Sequence, residues 1–410
     1  MTSTSHRAAS AASCCRLKGD ESGSSILGKT LVSTSTRIFD DTRHASSVPS
    51  AAMHIVHVVS SLAIGGQERM ILDLARGLRG RGHRVTVISL AHGGALTRSF
   101  GAIPLVSLER RGGIEPSLTW HIADILRGLH ADVVHTHNPL ALTYAGPAAR
   151  WARVSRLVHT KHGANPPRSR ADLLARRAFL RLCDAYVAVS EPTAAVAREL
   201  DRAPERLLRV IPNGIDTEAF SHDPAKRVSV RAQLGIPANA RVIGTVGRLA
   251  VEKAHRFLVA AVSPLLGPQT RLVIVGDGSE RSAIEEAIPP AVRPFVHLPG
   301  ARDDIPAVLS AFDVFVLSSS TEGLPLVVPE AMAAGLPVVS TDVGGLSTVV
   351  RHDRTGRLVP FGDEPALRRH VDELLRNDAL RAAHGSAAVV EARERFGLDR
   401  VVRAYEALYR

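Results

Sequence analysis

The chain of 410 residues has few cysteines and few aromatic residues, and it lacks long apolar runs. Of its three cysteines, Cys14 and Cys15 are adjacent, and Cys183 stands alone in an apolar predicted helix, where we expect a core residue. Three cysteines exclude a disulfide framework or a cysteine-rich metal site and fit a reducing compartment. No apolar run approaches the roughly 18 residues of a membrane span, so we expect a globular protein without one.

Lysine is scarce as well. Only five of the 51 basic residues are lysine, and arginine supplies the others. The acidic residues number 40, which gives a net charge of +11. A lysine in this chain stands where arginine would be the commoner choice, and we therefore expect it to have a specific role.

The length excludes a single core, because cores stop growing near about 250–300 residues. Residues 1–52 are rich in Ser, Thr and Ala, lack hydrophobic periodicity and contain no apolar stretch suited to a signal peptide. Their acidic residues, such as Asp20 and Asp40, disfavour a transit peptide. We interpret them as a disordered extension and expect the ordered protein to begin at Met53, which is also a candidate initiator.

From Met53 onward, short β-branched runs alternate with stretches of helical periodicity, a pattern typical of α/β proteins with parallel sheets. The sequence predicts six strands in its first half and five in its second. They span His54–Ser60, Arg84–Leu90, Asp132–His137, Leu157–Thr160, Tyr186–Ser190, Arg209–Pro212, Arg241–Val246, Arg271–Val275, Phe295–Leu298, Val314–Ser318 and Pro337–Ser340. Between the two sets, the polar segment Asn213–Asn239 is the predicted linker.

The predicted architecture is two doubly wound, Rossmann-like domains that face each other across a cleft. We place the domains at residues 53–220 and 221–390. Residues 391–410 are the predicted C-terminal closing helix, whose amphipathic part is Leu398–Leu408. Ligands of such sheets bind beyond the carboxyl ends of the strands, so we expect the chemistry in the segments that follow each strand.

Gly65 and Gly66 follow the first predicted strand and lead into the predicted helix Arg69–Leu78. A glycine pair at such a turn lets backbone amides approach an anion at the helix N-terminus. The alternative is a tight turn that requires glycine for its positive φ. The sequence leaves both interpretations open.

The first strand of the second half ends in Gly247-Arg248-Leu-Ala-Val-Glu252-Lys253. Arg248 offers a planar fork for phosphate oxygens, and Lys253 offers a compact point charge. The scarcity of lysine favours a diphosphate site at this position over a solvated surface pair.

The strongest motif begins at Asp313, where a buried strand leads to Glu322, Gly323 and a predicted helix that carries Glu330. Pro325 and Pro329 are tolerated only near a helix start, so the free amides of the first turn lie close to Glu330. Carboxylates are good partners for sugar hydroxyls. The alternative is two solvated glutamates that flank a helix cap.

Other turns carry weaker signals. Gly276-Asp-Gly278-Ser-Glu-Arg281 matches a dinucleotide fingerprint poorly, and we interpret it as a strand-to-helix turn near a nucleotide base. Four histidines lie at predicted strand ends: His135, His137, His159 and His162. They lack the spacing of a metal site, and His162 is the best functional candidate among them. Asp303 and Asp304 are predicted to cap a helix rather than to bind a metal.

With these residues in view, the chain resembles glycosyltransferase family 4, whose members have the GT-B fold. The resemblance rests on residues 322–330, on Arg248 with Lys253 and on the Gly65-Gly66 turn, and it covers nearly all of residues 53–410. It includes Ile211–Asp216 and Tyr405–Tyr409. It implies transfer of a sugar from a nucleotide diphosphate sugar to an acceptor, with retention at the anomeric carbon and without a metal or other cofactor. The first domain would bind the acceptor and the second the donor, with the C-terminal helix returning to the first domain.

The resemblance also implies a role for each motif residue. Arg248 and Lys253 would hold the diphosphate and stabilise the leaving group. Glu330 would bind the ribose hydroxyls, and Glu322 and His162 would contact the donor sugar near the reacting centre. The remaining donor contacts would come largely from backbone groups of Gly65, Gly66, Gly323, Leu324, Pro325, Leu326 and Val327.

The sequence departs from the family pattern at two positions and leaves alternative functions open. Ala254 stands where the family usually has glycine, and Pro329 stands where an aliphatic residue is commoner. The alternatives are a GT-B nucleotide-sugar epimerase and a non-catalytic, membrane-associated nucleotide-sugar-binding protein. A pyridoxal phosphate phosphorylase would need its own Schiff-base lysine, and the poor fingerprint at Gly276 disfavours an oxidoreductase.

The segment Arg150–Arg181 holds nine basic residues and one acidic residue, Asp172. Interleaved apolar residues make it a candidate surface for an anionic membrane or a lipid-diphosphate acceptor, and a solvated arginine-rich helix face is the alternative. It lacks the aromatic stacking residues expected for nucleic acid. We therefore expect a cytoplasmic protein, peripheral on the inner face of the plasma membrane, that acts on a saccharide or lipid-linked acceptor in cell-envelope, exopolysaccharide or glycolipid synthesis.

Overall fold

The first strand begins directly after Met53, as the sequence predicts. The computed structural model describes residues 52–410, except Ile64, Ala95, Gly112, Ala164, Asn165 and Arg168. The predicted disordered extension therefore lies outside the described residues, apart from Ala52.

Seven parallel strands form the sheet of the first domain, in the order β3-β2-β1-β4-β5-β6-β7. They are β1 (His54–Val59), β2 (Arg84–Ser89), β3 (Leu105–Ser107), β4 (Val133–His137), β5 (Arg156–Lys161), β6 (Ala185–Ala188) and β7 (Leu208–Val210). The strand order reverses between β1 and β4, and a doubly wound sheet binds its ligands at such a point.

Helices pack on both faces of this sheet, and its central strands β1 and β4 are accordingly buried on both sides. They are α1 (Gly66–Gly80), α2 (Pro116–Gly128), α3 (Asn138–Trp151), α4 (Arg170–Leu180) and α5 (Glu191–Val196). A single π-helical turn, Ala197–Asp201, continues α5.

Six parallel strands form the sheet of the second domain, in the order β10-β9-β8-β11-β12-β13. They are β8 (Arg241–Val246), β9 (Thr270–Val275), β10 (Val296–Gly300), β11 (Val314–Leu317), β12 (Val338–Thr341) and β13 (Gly356–Val359). The order reverses between β8 and β11. The segments after these two strands are the Arg248–Lys253 loop and the Glu322 loop.

The remaining helices are α6 (Pro224–Gln233), α7 (His255–Val262), α8 (Arg281–Ala287), α9 (Ile305–Ser310), α10 (Val327–Ala333), α11 (Glu364–Arg376), α12 (Asp378–Phe396) and α13 (Leu398–Tyr409). Short 3₁₀ turns span Thr97–Phe100, Val251–Lys253, Ser263–Leu265, Pro290–Phe295 and Leu346–Thr348. None of the described helices is both long and apolar enough to cross a membrane.

The two facing doubly wound sheets confirm the predicted fold class, and all eleven predicted strands are present with ends shifted by at most two residues. The prediction missed β3 and β13, which are outer strands of the two sheets. Both are short, and β13 contains Gly356 and Arg357. An outer strand pairs on one side and needs no continuous apolar run, so it gives a weak sequence signal.

The predicted linker, Asn213–Asn239, is not unstructured throughout, because α6 occupies much of its second half. The Asp223 side chain caps α6 by accepting hydrogen bonds from the amides of Ala225 and Lys226. Arg227 and Arg231 of α6 then donate to the buried Asp313 carboxylate at 2.8 and 2.7 Å, just before β11. These bonds fix α6 to the second domain.

The predicted C-terminal helix of residues 391–410 is two helices, the end of α12 and the whole of α13, with a break at Gly397. The Ile215 amide donates to the Phe396 carbonyl, and the Leu398 amide donates to the Ile215 carbonyl. This bridge holds the chain extended where the two helices meet. Beyond it, α13 packs on α1 of the first domain, where a Cβ on Gly77 would lie 2.5 Å from a methyl group of Val402.

Two smaller predictions were wrong in detail. Asp304 is the residue before α9, but its carboxylate pairs with Arg302 at 2.6 Å and does not cap the helix. Cys183 is buried as expected, yet it lies in the turn between α4 and β6 rather than in a helix. There, desolvation raises the pKa of its thiol.

Candidate active site

The first-domain side of the site is the turn between β1 and α1. Gly65 has extended backbone, with φ −165° and ψ 159°, and it directly precedes α1. A Cβ on Gly65 would meet the Glu68 carboxylate at 2.4 Å, and a Cβ on Gly66 would lie 3.8 Å from the Leu326 side chain of the second domain. A Cβ on Gly65 would only displace the flexible Glu68 side chain, and a Cβ on Gly66 would make an ordinary contact, so packing does not require glycine at either position. Gly65 does not form a turn of positive φ.

The loop after β8 carries both predicted diphosphate cations. Arg248 is largely exposed and donates to Glu252 at 2.5 Å. Lys253 is only 20% exposed, and its Nζ donates to Glu322 Oε1 at 2.6 Å. The structure thus brings together Lys253 and Glu322, which are 69 residues apart in the sequence.

The loop after β11 holds Glu322 from three sides. Its Oε1 also accepts a hydrogen bond of 2.6 Å from the Ser319 hydroxyl. A Cβ on Gly344 would lie 1.9 Å from the Glu322 carbonyl oxygen, and a Cβ on Gly323 would lie 2.6 Å from the His162 carbonyl oxygen of the first domain. The carboxylate of Glu322 is therefore fixed in place, and its loop touches the backbone of the opposite domain.

An open pocket of about 340 Å³ lies at this meeting point, lined by Pro166, Arg248, Glu252, Lys253, Thr321, Glu322 and Gly323. A second pocket, of about 420 Å³, is bordered by α12 and residues 334–336 and contains no predicted site residue. Its arginines, Arg227 and Arg381, are already paired with Asp313 and Asp378. The pocket beside Lys253 is the one with the chemistry of an anion site.

Glu330 lies in the first turn of α10, as predicted, and is half-buried. Leu324, Pro325 and Leu326 lead into this helix, which begins at Val327. Desolvation raises the pKa of Glu330 to about 7, while Arg69 of α1 lowers it and Asp73 raises it further. The carboxylate that was predicted to bind ribose therefore faces α1 of the first domain.

His162 follows β5 and contacts the Gly323 loop through its carbonyl oxygen. Its Nε2 is 3.0 Å from Nδ1 of His137, and its buried Nδ1 has no hydrogen-bond partner within the described part of the chain. Desolvation lowers the pKa of His162 to about 3, so the ring is neutral at physiological pH. This buried, unpartnered nitrogen belongs to a residue that touches the Gly323 loop.

The predicted turn at Gly276 lies between β9 and α8 and supports the Arg248 loop from behind. Gly276 and Gly278 have positive φ, and a Cβ on either would collide with the carbonyl oxygen of Gly247 or Leu249. The turn therefore requires glycine at both positions for close backbone packing.

Sequence reasoning missed several residues of the cleft. The side-chain amide of Asn138, the first residue of α3, with φ 72°, donates to Gln67 Oε1 at 2.7 Å. Asn213 donates to the Leu324 carbonyl at 3.0 Å across the domains. His57 lies beside His135 in the register of β1 and β4, and the two-residue spacing of His135 and His137 places all three on one sheet face. That spacing was the available signal.

The basic segment Arg150–Arg181 is less free than its composition suggests. Lys161 is buried and pairs with Asp201 at 2.8 Å, Arg150 pairs with Asp184, and Arg176 pairs with Asp172. Arg153, Arg170 and Arg181 are exposed, whereas Arg168 lies outside the described residues. An exposed aromatic pair stacks beside the segment, with the Trp120 and Trp151 rings 4.1 Å apart.

Comparison with known proteins agrees with this geometry. The family model described as Glycosyltransferase Family 4 matches residues 64–219, and the one described as Glycosyl transferases group 1 matches residues 240–377. The chain is 31% identical to a D-inositol 3-phosphate glycosyltransferase of Stackebrandtia nassauensis, over 81% of this chain and 83% of the relative.

Two further proteins are similar. A UDP-Gal:alpha-D-GlcNAc-diphosphoundecaprenol alpha-1,3-galactosyltransferase of Escherichia coli is 31% identical over 57% of this chain and 63% of that protein. The crystal structure of Anabaena Alr3699/HepE in complex with UDP-glucose has a TM-score of 0.75 and 25% identity, over 87% of this chain and 98% of that one. The fold and the site thus define a GT-B glycosyltransferase, an enzyme that uses a nucleotide sugar. The chain belongs to glycosyltransferase family 4.

The first prediction concerns Ala254, which follows Lys253 and has φ 48° and ψ 41°, the left-handed conformation. This conformation costs a non-glycine residue about 1–2 kcal/mol, so Ala254→Gly should stabilise the protein by roughly 1 kcal/mol. Ala250→Gly is the matched control, because Ala250 is equally half-buried in the same loop but has extended backbone, with φ −131°. It should lose stability. Denaturant unfolding of both variants measures the difference, and an Ala254→Gly protein no more stable than Ala250→Gly would contradict the assignment.

The second prediction concerns Glu330. Because its pKa is raised from 4.5 to about 7, its ionisation opposes folding, and the free energy of unfolding falls as pH rises through this window. Glu330→Gln removes this effect and should raise the melting temperature by about 2–4 °C more at pH 8 than at pH 5. Scanning calorimetry at both pH values tests this. Glu286→Gln, at an exposed position of α8, controls for the loss of one carboxylate, and an equal gain at both pH values would refute the burial argument.

Proposed function

We propose that this enzyme is a metal-independent hexosyltransferase that retains the anomeric configuration and transfers a sugar to a saccharide or lipid-linked acceptor. The observation that carries the proposal is the pairing of Lys253 with Glu322 at the carboxyl ends of β8 and β11. A half-buried lysine needs an anionic partner. A bound diphosphate would replace Glu322 as that partner, and the freed carboxylate would accept hydrogen bonds from the hydroxyls of the donor sugar.

The replacement of Glu322 by the donor diphosphate beside Lys253 also prepares the reaction. The bond between the anomeric carbon and the phosphate oxygen breaks, and negative charge gathers on the leaving nucleoside diphosphate. Lys253 and Arg248 would stabilise this charge, with backbone amides of residues 323–327. A phosphate oxygen would take the proton of the acceptor hydroxyl on the same face of the sugar as the new bond forms, which gives retention. These steps use groups of the chain and the substrates and leave no role for a metal.

Glu330, half-buried in the first turn of α10, is suited to bind the ribose hydroxyls of the donor nucleotide. Gly65 and Gly66 lie at the start of α1, where their backbone amides would approach the donor phosphates on the first-domain side. The relatives include an enzyme named for a diphosphoundecaprenol acceptor. This name supports a lipid-linked acceptor and a role in cell-envelope, exopolysaccharide or glycolipid synthesis. Our proposal places the enzyme on the cytoplasmic side of the membrane and includes no nucleic-acid partner.

A panel of nucleotide sugars tests the proposal. Thermal shift and product analysis with UDP-glucose, UDP-galactose, UDP-N-acetylglucosamine and GDP-mannose identify the donor, and NMR of the glycoside reports the anomeric configuration. We expect transfer to continue in EDTA. Conversion of the donor to its free epimeric sugar without an acceptor would instead identify an epimerase. Binding without any turnover would identify a non-catalytic protein.

The third prediction concerns Lys253. Its removal takes away one preorganised cation at the leaving group, and loss of one such group typically costs 10²–10³-fold in kcat. Lys253→Ala should therefore lower kcat by about 100-fold with the donor that the panel identifies. Lys226→Ala is the matched control, because Lys226 lies in α6 of the same domain and is 51% exposed. Undiminished transfer by Lys253→Ala would exclude the assigned site.

The fourth prediction concerns the membrane. The exposed arginines Arg153, Arg170 and Arg181, with the Trp120–Trp151 pair nearby, are suited to anionic headgroups. The protein should sediment with phosphatidylglycerol vesicles at low salt and less so at high salt. Replacing Arg170 and Arg181 by Ser should weaken sedimentation, whereas replacing the exposed Arg354 and Arg369 of the second domain should not. Equal binding to neutral vesicles would count against this surface.

A further inference from the structure

Three imidazole rings form a hydrogen-bonded chain from the cleft into the first domain. His162 Nε2 is 3.0 Å from His137 Nδ1, and His137 Nε2 is 3.0 Å from His57 Nδ1. His162 is half-buried at the cleft, whereas His137 and His57 are fully buried between sheet and helices. The family resemblance assigns a role only to the first of these rings, so the other two need an explanation.

The three rings are neutral at physiological pH. Desolvation lowers the pKa of His57 and His162 to about 3 and that of His137 well below its usual value. A neutral imidazole has one N–H donor and one acceptor nitrogen. His137 must therefore donate through one nitrogen and accept through the other. Both hydrogen bonds then run in the same direction along the chain, and only two arrangements exist.

The ends of the chain distinguish the two arrangements. His57 Nε2 and His162 Nδ1 are both buried and lack a hydrogen-bond partner among residues that the structure describes. If the chain ran inward, an N–H without an acceptor would be enclosed in the core at His57. If it runs outward, the unpaired N–H is at His162, beside the cleft. Both end nitrogens are buried in the free protein, so each direction leaves one buried N–H without an acceptor among the described residues. The outward direction is favoured because a ligand in the cleft can supply an acceptor to His162, whereas His57 is enclosed in the core.

We propose that His57 and His137 are positioning residues that hold His162 in the Nδ1–H tautomer, with that hydrogen offered to an oxygen of the donor. His57 Nδ1–H donates to His137 Nε2, and His137 Nδ1–H donates to His162 Nε2. The assignment of the acceptor to the donor substrate rests on the proposed function. The tautomer rests on it as well, because only a ligand in the cleft supplies the acceptor that favours this direction.

A neighbouring network holds the chain in place. His135 lies between Tyr409 and Thr160, with hydrogen bonds of 2.7 Å to each, and its ring is 4.1 Å from that of His137. Thr160 is in turn 3.2 Å from the Tyr405 hydroxyl of α13. The C-terminal helix thus contributes to the rigidity of the histidines, because its two tyrosines are buried against them.

A metal ion is the competing explanation for these rings. One nitrogen from each of His57, His135 and His137 lies within 4.8 Å of the others. Five of the six ring nitrogens, however, already have hydrogen-bond partners, and His57 Nε2 is the exception. Binding of a metal by all three rings would break several of these bonds. Metal content therefore distinguishes the two explanations.

The first test is spectroscopic and independent of activity. Long-range ¹H–¹⁵N spectra of the full-length protein labelled with ¹⁵N-histidine report which ring nitrogen carries hydrogen, and His162→Phe identifies the His162 signals. We expect the hydrogen on Nδ1, the minor tautomer of free histidine. A hydrogen on Nε2 of His162 would overturn the proposal. A stoichiometric zinc, nickel or copper ion that persists after dialysis against EDTA, measured by mass spectrometry, would overturn it as well.

The second test separates positioning from structure. In His137→Asn the side-chain amide reaches the place of Nδ1 and can still donate to His162, whereas in His137→Gln it reaches the place of Nε2 and the link to His162 is lost. We expect His137→Gln to lower kcat by about tenfold, the worth of one hydrogen bond, with little change in KM, and His137→Asn to retain most of kcat. His159→Asn is the matched control, since His159 is a buried histidine that bonds Thr136 instead.

The outcomes are separable. If both His137 variants lose kcat in proportion to their loss of melting temperature, the role is structural and the proposal fails. If no nucleotide sugar is turned over by the unaltered protein, the proposed function fails, and the spectra still decide the tautomer of His162.

Discussion

The site depends on a contact between two backbones, that of Gly323 in the second domain and that of His162–Gly163 in the first. A side chain at Gly323 would lie 2.6 Å from the His162 carbonyl oxygen. Behind it, a Cβ on Gly345 would lie 2.5 Å from the Gly323 carbonyl oxygen, to which the Gly345 amide donates a hydrogen bond. The Glu322 loop is thus enclosed between the two domains, and its position fixes Lys253.

The charges of the site are arranged so that each cation has a carboxylate before any substrate arrives. Lys253 pairs with Glu322, and Arg248 pairs with Glu252. An unpaired Lys253 in this half-buried position would be costly, because desolvation penalises an isolated charge. A diphosphate bound as proposed would therefore have to compete with Glu322 for Lys253. This competition would favour a ligand with two features. One is an anion that replaces Glu322 beside Lys253, and the other is a set of hydroxyls that donate hydrogen bonds to the released Glu322 carboxylate. A nucleotide sugar has both.

The central strands and the loops that carry chemistry could be predicted from the sequence, because buried parallel strands are continuous β-branched runs and their ligands lie at strand ends. The outer strands β3 and β13 could not, since they lack such runs. The hydrogen bond between Lys253 and Glu322 could not be predicted from the sequence, because 69 residues separate the two. The break at Gly397 was missed because its cause is the distant Ile215, and the cap assigned to Asp304 was wrong because Arg302 competes for the same carboxylate.

On the side of the first domain that faces the second domain, three buried polar atoms lack hydrogen-bond partners among the described residues. Gln67 Nε2, Asn213 Oδ1 and His162 Nδ1 are buried without hydrogen-bond partners in the part of the chain that the structure describes. They are three of the eleven such atoms among the described residues, and each costs about 1–3 kcal/mol. These three lie near the contact between the two domains. Asn213 and His162 touch the 323–324 backbone, and Gln67 follows Gly66, which faces Leu326.

A donor held between the domains would supply partners for all three atoms at once. This interpretation adds Gln67 and Asn213 to the first-domain residues that the family resemblance assigns to the donor, in a domain that would also bind the acceptor. Its strand ends supply donors and acceptors at the same edge of the cleft where the second domain supplies Lys253 and Glu322. The cost of leaving these atoms unpaired in the free enzyme would then be recovered on binding, so the polar groups of the first domain would contribute to donor affinity and to closure of the cleft together.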